Sequence, residues 1–346
     1  MKNFEYAQPR TEQEAVALLA DQSKHSVVLA GGTDLISLMK RSVITPDRVV
    51  NIAEISGLQR IQRDEHGSIW VGAAVSLQSF LESSYTTELA AAQQIIQGIA
   101  SLQLQAQGTV VGELLRRPMC WYFRSGHGLL AQQGRMVVEG DNRYHAILGN
   151  RRSAKFVNPS RLAPALIAAG AFVRIIKPGN DERFLELESL YQTPDQDGQT
   201  ENVLTQGELV THVMIPAQRD RLSAAYEIRH GEGPDQPLVS AAVGIQAERG
   251  IVREATVVLG QVAPIPWMAV EAARNLVGQP LNEQTATTAG IEAVAGALPL
   301  SGNEYKIQLT QVAVKRAVLR AAGLECGGLE CQPPLEQDHH SGPLMV

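Results

Sequence analysis

A short apolar run, Val27-Val28-Leu29-Ala30, breaks at Gly31 and Gly32 and restarts at Thr33, Asp34 and Leu35 with apolar residues at helical spacing through Lys40. A strand, a glycine pair and a polar helix start can bring bare backbone N–H groups against a phosphate. Glycine has no Cβ to hold the ligand off, and the first amides of a helix lack intrahelical partners. A tight structural turn is the alternative use of the same residues. Thiolate chemistry is limited by supply. Only Cys120, Cys326 and Cys331 are present, and an iron–sulfur or zinc site built wholly of cysteine needs four thiolates, so this chain cannot furnish one alone. Cys326 and Cys331, in LECGGLECQPP, read as spare thiols of a mobile tail. A disulfide, or a metal joined by His339 and His340, is the alternative there. His127 and His145 read as hydrogen-bonding loop residues, because no nucleophile or perturbing carboxylate pattern accompanies them.

The elements that must position the glycine turn are legible around it. Thr11 followed by Glu14 is a capping box, and Ala15, Leu18 and Leu19 give the helix behind it an apolar face. RVVNIA at 48–53 reads as a strand, so residues 1–57 form a small β-α-β unit. SIWVGAAVSL continues with a strand, Ser76 caps a helix, and a second helix, LAAAQQIIQGIA, leads to the glycine-containing turn AQGTVVGELL. Residues 116–150 form a loop-rich insertion dense in Gly, Arg and aromatic residues, and loops of that length are more often functional than idle. After a helix and strands in 158–216, polar residues 217–223 mark a boundary. The segment 224–324 alternates strand-like stretches with two helices, the pattern of an antiparallel sheet backed by helices. The tail 325–346 reads as disordered.

The 346 residues are too many for one ordinary core and imply two or three domains. A composition of 44% hydrophobic and 19% charged residues is that of a soluble globular chain, and the net charge of −6 with no basic run argues against nucleic acid as a partner. The N-terminus lacks a signal-peptide core and no stretch approaches the length of a membrane span, so a cytoplasmic location is expected, with transport across a membrane only if a partner carries the signal.

Several ordered stretches together resemble one family. AGGTDL at 30–35, QGTVVGELL at 107–115, NPSRLAPAL at 158–166, PLVSAAVGI at 237–245, LGQVAPIPW at 259–267 and NEYK at 303–306 are similar to the FAD-binding medium subunit of molybdenum hydroxylases, the flavin subunits of xanthine dehydrogenase, carbon monoxide dehydrogenase and aldehyde oxidoreductase complexes. The resemblance implies an α+β chain: a two-subdomain PCMH-type FAD-binding fold (1–57 and 58–216) and a small C-terminal α+β domain (224–324). It implies an oxidoreductase subunit in which bound FAD relays electrons from the 2Fe–2S clusters of a small partner subunit to NAD or another terminal acceptor. Substrate oxidation would lie on a large molybdenum-cofactor subunit. The residues carried over are Ala30, Gly31, Gly32, Thr33, Asp34 and Leu35 around the pyrophosphate, and Thr109 and Gly112 on the flavin side.

The same resemblance exposes departures. Relatives commonly read QIRNQGTIGGN where this chain reads QLQAQGTVVGE, which places Gln105, Ala106, Val111 and Glu113 at altered positions. Val111 adds a branched side chain near the cofactor, and Glu113 adds an anion beside an anionic ligand. Arg161 stands where relatives usually carry aspartate, and is expected to pair with Glu113 and fill part of the pocket. The residue after Tyr226 is not the usual lysine. These departures support an alternative, a flavin-free structural or assembly subunit, while a free-standing flavin oxidase or reductase is a third reading. Some relatives hold a 4Fe–4S cluster in the insertion on several cysteines; with Cys120 alone there, none is expected. Trp121, Tyr122, Phe123 and Tyr144 are expected to pack the insertion down or to meet a partner.

Overall fold

The computed structural model describes residues 1–327 other than Asn180, Glu232 and Pro234. Thr11 accepts a hydrogen bond from the Glu14 amide (3.1 Å), starting the helix Glu12–Ala20, whose Ala15, Val16 and Leu19 are buried. That helix packs on a parallel sheet in the order Glu5–Ala7, Arg48–Asn51, Ser26–Leu29. The central strand is wholly buried, whereas Ser26–Leu29 is a half-buried edge. The carboxyl end of this edge strand runs directly into Ala30-Gly31-Gly32. The crevice outside the carboxyl ends of parallel strands is where open sheets bind ligands.

The second sheet is antiparallel throughout, ordered Ile61–Arg63, Ile69–Gly72, Leu209–Ile215, Phe172–Ile176, Glu182–Glu186. Ser76 caps Leu77–Glu82 by accepting from the Ser79 amide (3.0 Å), and Ala90–Gln97 and Ala163–Ala168 follow on the same core. One apolar cluster runs from Val50 of the first sheet through Phe80, Ile96 and Leu166 to Val213 of the second, so the two sheets share a core. A third, antiparallel sheet, ordered Trp267–Met268, Ile251–Gly260, Val239–Glu248, Arg221–Ile228, is backed by the helices Val270–Leu276, Glu283–Glu292 and Tyr305–Ala321 around a separate core. The fold is the α+β arrangement expected from the sequence.

Three features differ from the sequence reading. The strand Arg221–Ile228 begins inside the polar 217–223 stretch, and Ala224 to Glu227 are all buried because Ala90–Gln97 and Tyr305–Ala321 both pack on this strand. Covered on both faces, it shows no alternation to read. The insertion is an ordered element: it carries two short helices, Trp121–Arg124 and Arg135–Glu139, and its Leu130 packs in a small core with Ala154 and Phe156 of the chain just after it. Between those helices Ala131, Gln132, Gln133 and Gly134 all take positive φ (47°, 58°, 55° and 86°), a left-handed turn that costs about 1–2 kcal/mol at each non-glycine position. Lastly, Gly323 (φ 68°) turns the chain back at the end of Tyr305–Ala321, with the Leu324 amide on the Leu319 carbonyl at 2.9 Å. Cys326 thereby packs into the third core and is disulfide-bonded, which corrects the spare-thiol reading. Cys331, His339, His340 and the rest of the tail from 328 lie outside the described residues. Among the described residues no helix is long and apolar enough to cross a membrane.

Candidate functional site

Gly31 and Gly32 are needed for two different reasons. A Cβ on Gly31 would stand 1.8 Å from the Gln107 carbonyl oxygen and 3.3 Å from Gly108 Cα, so the first glycine motif and the second are pressed backbone to backbone. Gly32 has φ +70°, where an L side chain is strained. The turn these glycines permit leaves the N–H groups of Gly31, Gly32, Thr33, Asp34 and Leu35 without a protein acceptor among the described residues. Five successive amides, at the start of the helix Leu35–Lys40, form a cradle of partial positive charge. Thr33 is exposed and its neighbours are half-buried, so the cradle opens to solvent.

Asp34 does not put an unpaired charge into that cradle. Its carboxylate accepts from the Arg117 amide (3.0 Å) and from Arg124 Nη2 (2.7 Å), both in the insertion. Arg124 is buried and also donates to the carbonyls of Pro118 and Arg117 at 2.8 Å each, so a single guanidinium ties the insertion to the glycine turn. Arg117 lies over the buried Phe123 ring (5.1 Å to its centroid) and pairs with buried Glu201. Of the insertion's other aromatic residues, Trp121, Tyr122 and Tyr144 cluster edge-on or tilted around His145.

The second motif is adjacent but works internally. Thr109 Oγ1 accepts from the Gly112 amide (3.1 Å), capping Val110–Leu114, and a Cβ on Gly112 would meet that same oxygen at 2.7 Å. Gly112 itself is exposed. The altered residues around it have found partners in the protein. Val111 is buried in the core shared by the first two sheets. Glu113, buried, receives Arg116 Nη1 (3.2 Å) and the Arg161 amide (3.0 Å). In the amide orientation that satisfies both of its ends, Gln236 accepts from Arg116 and donates to the Pro159 carbonyl.

The expected Arg161–Glu113 side-chain pair does not form. The Arg161 guanidinium is directed instead at Glu227, with Nε on Oε1 at 2.8 Å and Nη2 on Oε2, and it also donates to the Gly98 carbonyl (2.9 Å). Both side chains are almost wholly buried, so each oxygen keeps to the partner that neutralises it. The sequence had shown Glu227 only as the absence of a lysine.

Lys306 is a further residue whose importance sequence reasoning missed, although NEYK contains it. It is 1% exposed and has no carboxylate partner among the described residues; Nζ donates to the carbonyls of Gln261 (2.7 Å), Tyr144 (3.2 Å) and His145 (3.3 Å). Burial lowers its pKa to about 7. Because the folded-state value is depressed, the unfolded chain holds a proton that the folded chain has lost between about pH 7 and 10.5, and stability rises with pH across that window. Urea unfolding should show a gain of about 2 kcal/mol from about pH 7 to 9 that is absent in Lys306→Met. Equal pH slopes in the two proteins would refute it.

Residues 2–218 match the family described as the FAD binding domain in molybdopterin dehydrogenase, and 224–321 match the CO dehydrogenase flavoprotein C-terminal domain. The chain belongs to this family of FAD-binding oxidoreductase subunits. It is 30% identical to the aldehyde oxidoreductase FAD-binding subunit PaoB of Escherichia coli strain K12 over 90% of this chain and 96% of that one. It is 27% identical to the carbon monoxide dehydrogenase medium chain of Afipia carboxidovorans, over 92% and 96%. The fold is similar to quinoline 2-oxidoreductase from Pseudomonas putida 86, with a TM-score of 0.72 at 22% identity over 93% of this chain and 98% of that one. FAD is therefore the cofactor to test against the site. The bare amide cradle suits its pyrophosphate, and Val111 and Glu113, turned to the core and to Arg116, do not oppose it.

Proposed function

We propose that this chain is the electron-transferring FAD subunit of a molybdenum hydroxylase complex. The observation that carries the reading is the row of five unpartnered amides from Gly31 to Leu35, pressed against the second motif at Gln107. Ala30 to Leu35 hold the pyrophosphate through backbone N–H groups, and Thr109 and Gly112 shape the flavin side. Bound FAD supplies one- and two-electron chemistry, and this chain's part is to fix and orient it. A small subunit with 2Fe–2S clusters delivers electrons, a large molybdenum subunit oxidises substrate, and NAD or another acceptor takes the electrons away. The similarity to a medium chain and to an FAD-binding subunit supports a multi-subunit assembly. A cytoplasmic complex, exported only if a partner carries a signal, completes the proposal.

The test is a visible spectrum of the purified full chain before and after adding FAD, followed by mixing with its reduced partner subunits. Bound flavin that bleaches on mixing supports the relay. A colourless chain that takes up no FAD would overturn it in favour of a flavin-free assembly subunit. Flavin that binds but stays oxidised beside reduced clusters would overturn the relay alone.

A further inference from the structure

Arg116, Arg117 and Arg124 stand in the first part of the insertion, and each meets a carboxylate from outside it. Arg116 Nη1 donates to Glu113 at 3.2 Å, Arg117 pairs with Glu201, and Arg124 Nη2 donates to Asp34 Oδ1 at 2.7 Å. Two of these acids belong to the glycine motifs themselves, Asp34 to AGGTDL and Glu113 to QGTVVGELL. Asp34 is the more exacting case, because its own backbone N–H is one of the five bare amides from Gly31 to Leu35. A row of amides that favours a diphosphate also favours a carboxylate, and an unneutralised carboxylate beside the row repels the diphosphate.

Aspartate readily accepts from free amides at the start of a helix. Here neither oxygen does so. Oδ1 takes Arg124, Oδ2 takes the Arg117 amide at 3.0 Å, and the side chain caps nothing in Leu35–Lys40. The guanidinium that holds it is itself fixed from the insertion side. Arg124 is buried, its Nε donates to the Pro118 carbonyl and its Nη2 to the Arg117 carbonyl, both at 2.8 Å. The carboxylate is therefore restrained and neutralised by one segment, 117–124, that contributes no amide to the row.

From this geometry we propose that Arg124 is a positioning residue for FAD: by holding and neutralising Asp34 it keeps a competing carboxylate off the Gly31–Leu35 amides, so that flavin retention depends on the docked insertion. The inference rests on the pyrophosphate assignment made above and is independent of the electron relay. Arg124 acts through Asp34. Once the guanidinium is gone, the carboxylate is a full negative charge beside the amides, opposing the pyrophosphate and able to take its donors. Linkage makes the effect reciprocal: bound FAD favours the docked insertion by the same factor by which docking favours FAD.

The test titrates FAD into the flavin-free full chain and reads the dissociation constant from flavin fluorescence. Arg124→Met should raise it about tenfold, whereas Arg124→Lys, which keeps a cation for Asp34, should stay within about threefold. The deciding variant combines Arg124→Met with Asp34→Asn, which removes the carboxylate and leaves the amide of residue 34 in place. Its constant should return to within about threefold of the parent's. An arginine that only held the insertion together, or that bound FAD directly, would leave the double variant as weak as Arg124→Met. Where Arg124→Met does not fold, hydrogen exchange of the segment 116–125 decides: saturating FAD should slow it about tenfold in the parent and leave it unchanged in Asp34→Asn. An unaltered constant in Arg124→Met, a double variant that is not rescued, or equal slowing in the parent and Asp34→Asn would overturn the proposal. A parent chain that binds no FAD would overturn it together with the flavin assignment. Flavin that binds but is not reduced by the partner subunits would count against the relay alone and leave these results standing.

Discussion

Gly31→Ala should strip the protein of flavin and lower its stability by more than about 3 kcal/mol, well beyond an ordinary overpacking cost of about 1–3 kcal/mol. The added Cβ would meet the Gln107 carbonyl oxygen at 1.8 Å and its carbon at 2.8 Å. Both are backbone atoms of the turn that leads into Thr109, so no rotamer change relieves the contact. The two motifs must separate, and the amide cradle loses the wall against which it is set. Gly32→Ala is the informative companion. Its Cβ would meet only side-chain atoms, Leu29 Cδ1 (3.2 Å) and Ile36 Cγ1 (3.3 Å), and its main penalty is the left-handed φ, about 1–2 kcal/mol. Gly57, with nothing within 4 Å of its added Cβ, serves as the control. Thermal melts and the flavin-to-protein absorbance ratio of FAD-loaded chains give the order directly. Flavin content in Gly31→Ala equal to the parent's would remove the junction from the cofactor site.

Much of this architecture is legible in the sequence where a local rule acts alone. Thr11 and Ser76 cap their helices because a hydroxyl beside a free N3 amide needs no tertiary help. The edge strand before Gly31 and the buried strand at 48–51 follow from short β-branched runs ended by polar or glycine residues. Elements covered on both faces were harder. Arg221–Ile228 alternates nothing because a helix lies on each side, and the 116–150 insertion is tied down by Arg124, one cation whose oxygen acceptors come from three separate residues. Charge partners were harder still. Val111 and Glu113 looked unfavourable beside a cofactor because sequence gives a residue's type but not the direction of its side chain. One turned to the core and the other to Arg116. Lys306 was visible as part of a motif, yet its carbonyl cage is assembled from residues at 144, 145 and 261 that no spacing connects.

The same blindness concealed that two departures from the family pattern are one exchange. Arg161 replaces the usual aspartate and Glu227 occupies the position after Tyr226 where lysine is common; the two side chains meet, with Nε on Oε1 at 2.8 Å and both almost wholly buried. The pair joins the turn before Ala163–Ala168 to the strand Arg221–Ile228 of the third sheet. Removing either leaves an uncompensated buried charge, so Arg161→Met or Glu227→Leu should each cost about 3–5 kcal/mol. Arg161→Met also frees the Gly98 carbonyl of one donor, though Arg229 still reaches it, so that loss is the smaller part. Exchange makes a sharper prediction than deletion. Arg161→Asp and Glu227→Lys should each be severely destabilising, because each creates a buried like-charge pair. Together they should return to within about 2 kcal/mol of the parent, since only the reach and fork geometry of arginine are lost. A urea-unfolding double-mutant cycle measures the coupling. If the two single-mutant losses simply add in the double variant, the residues are independent departures and the exchange is refuted.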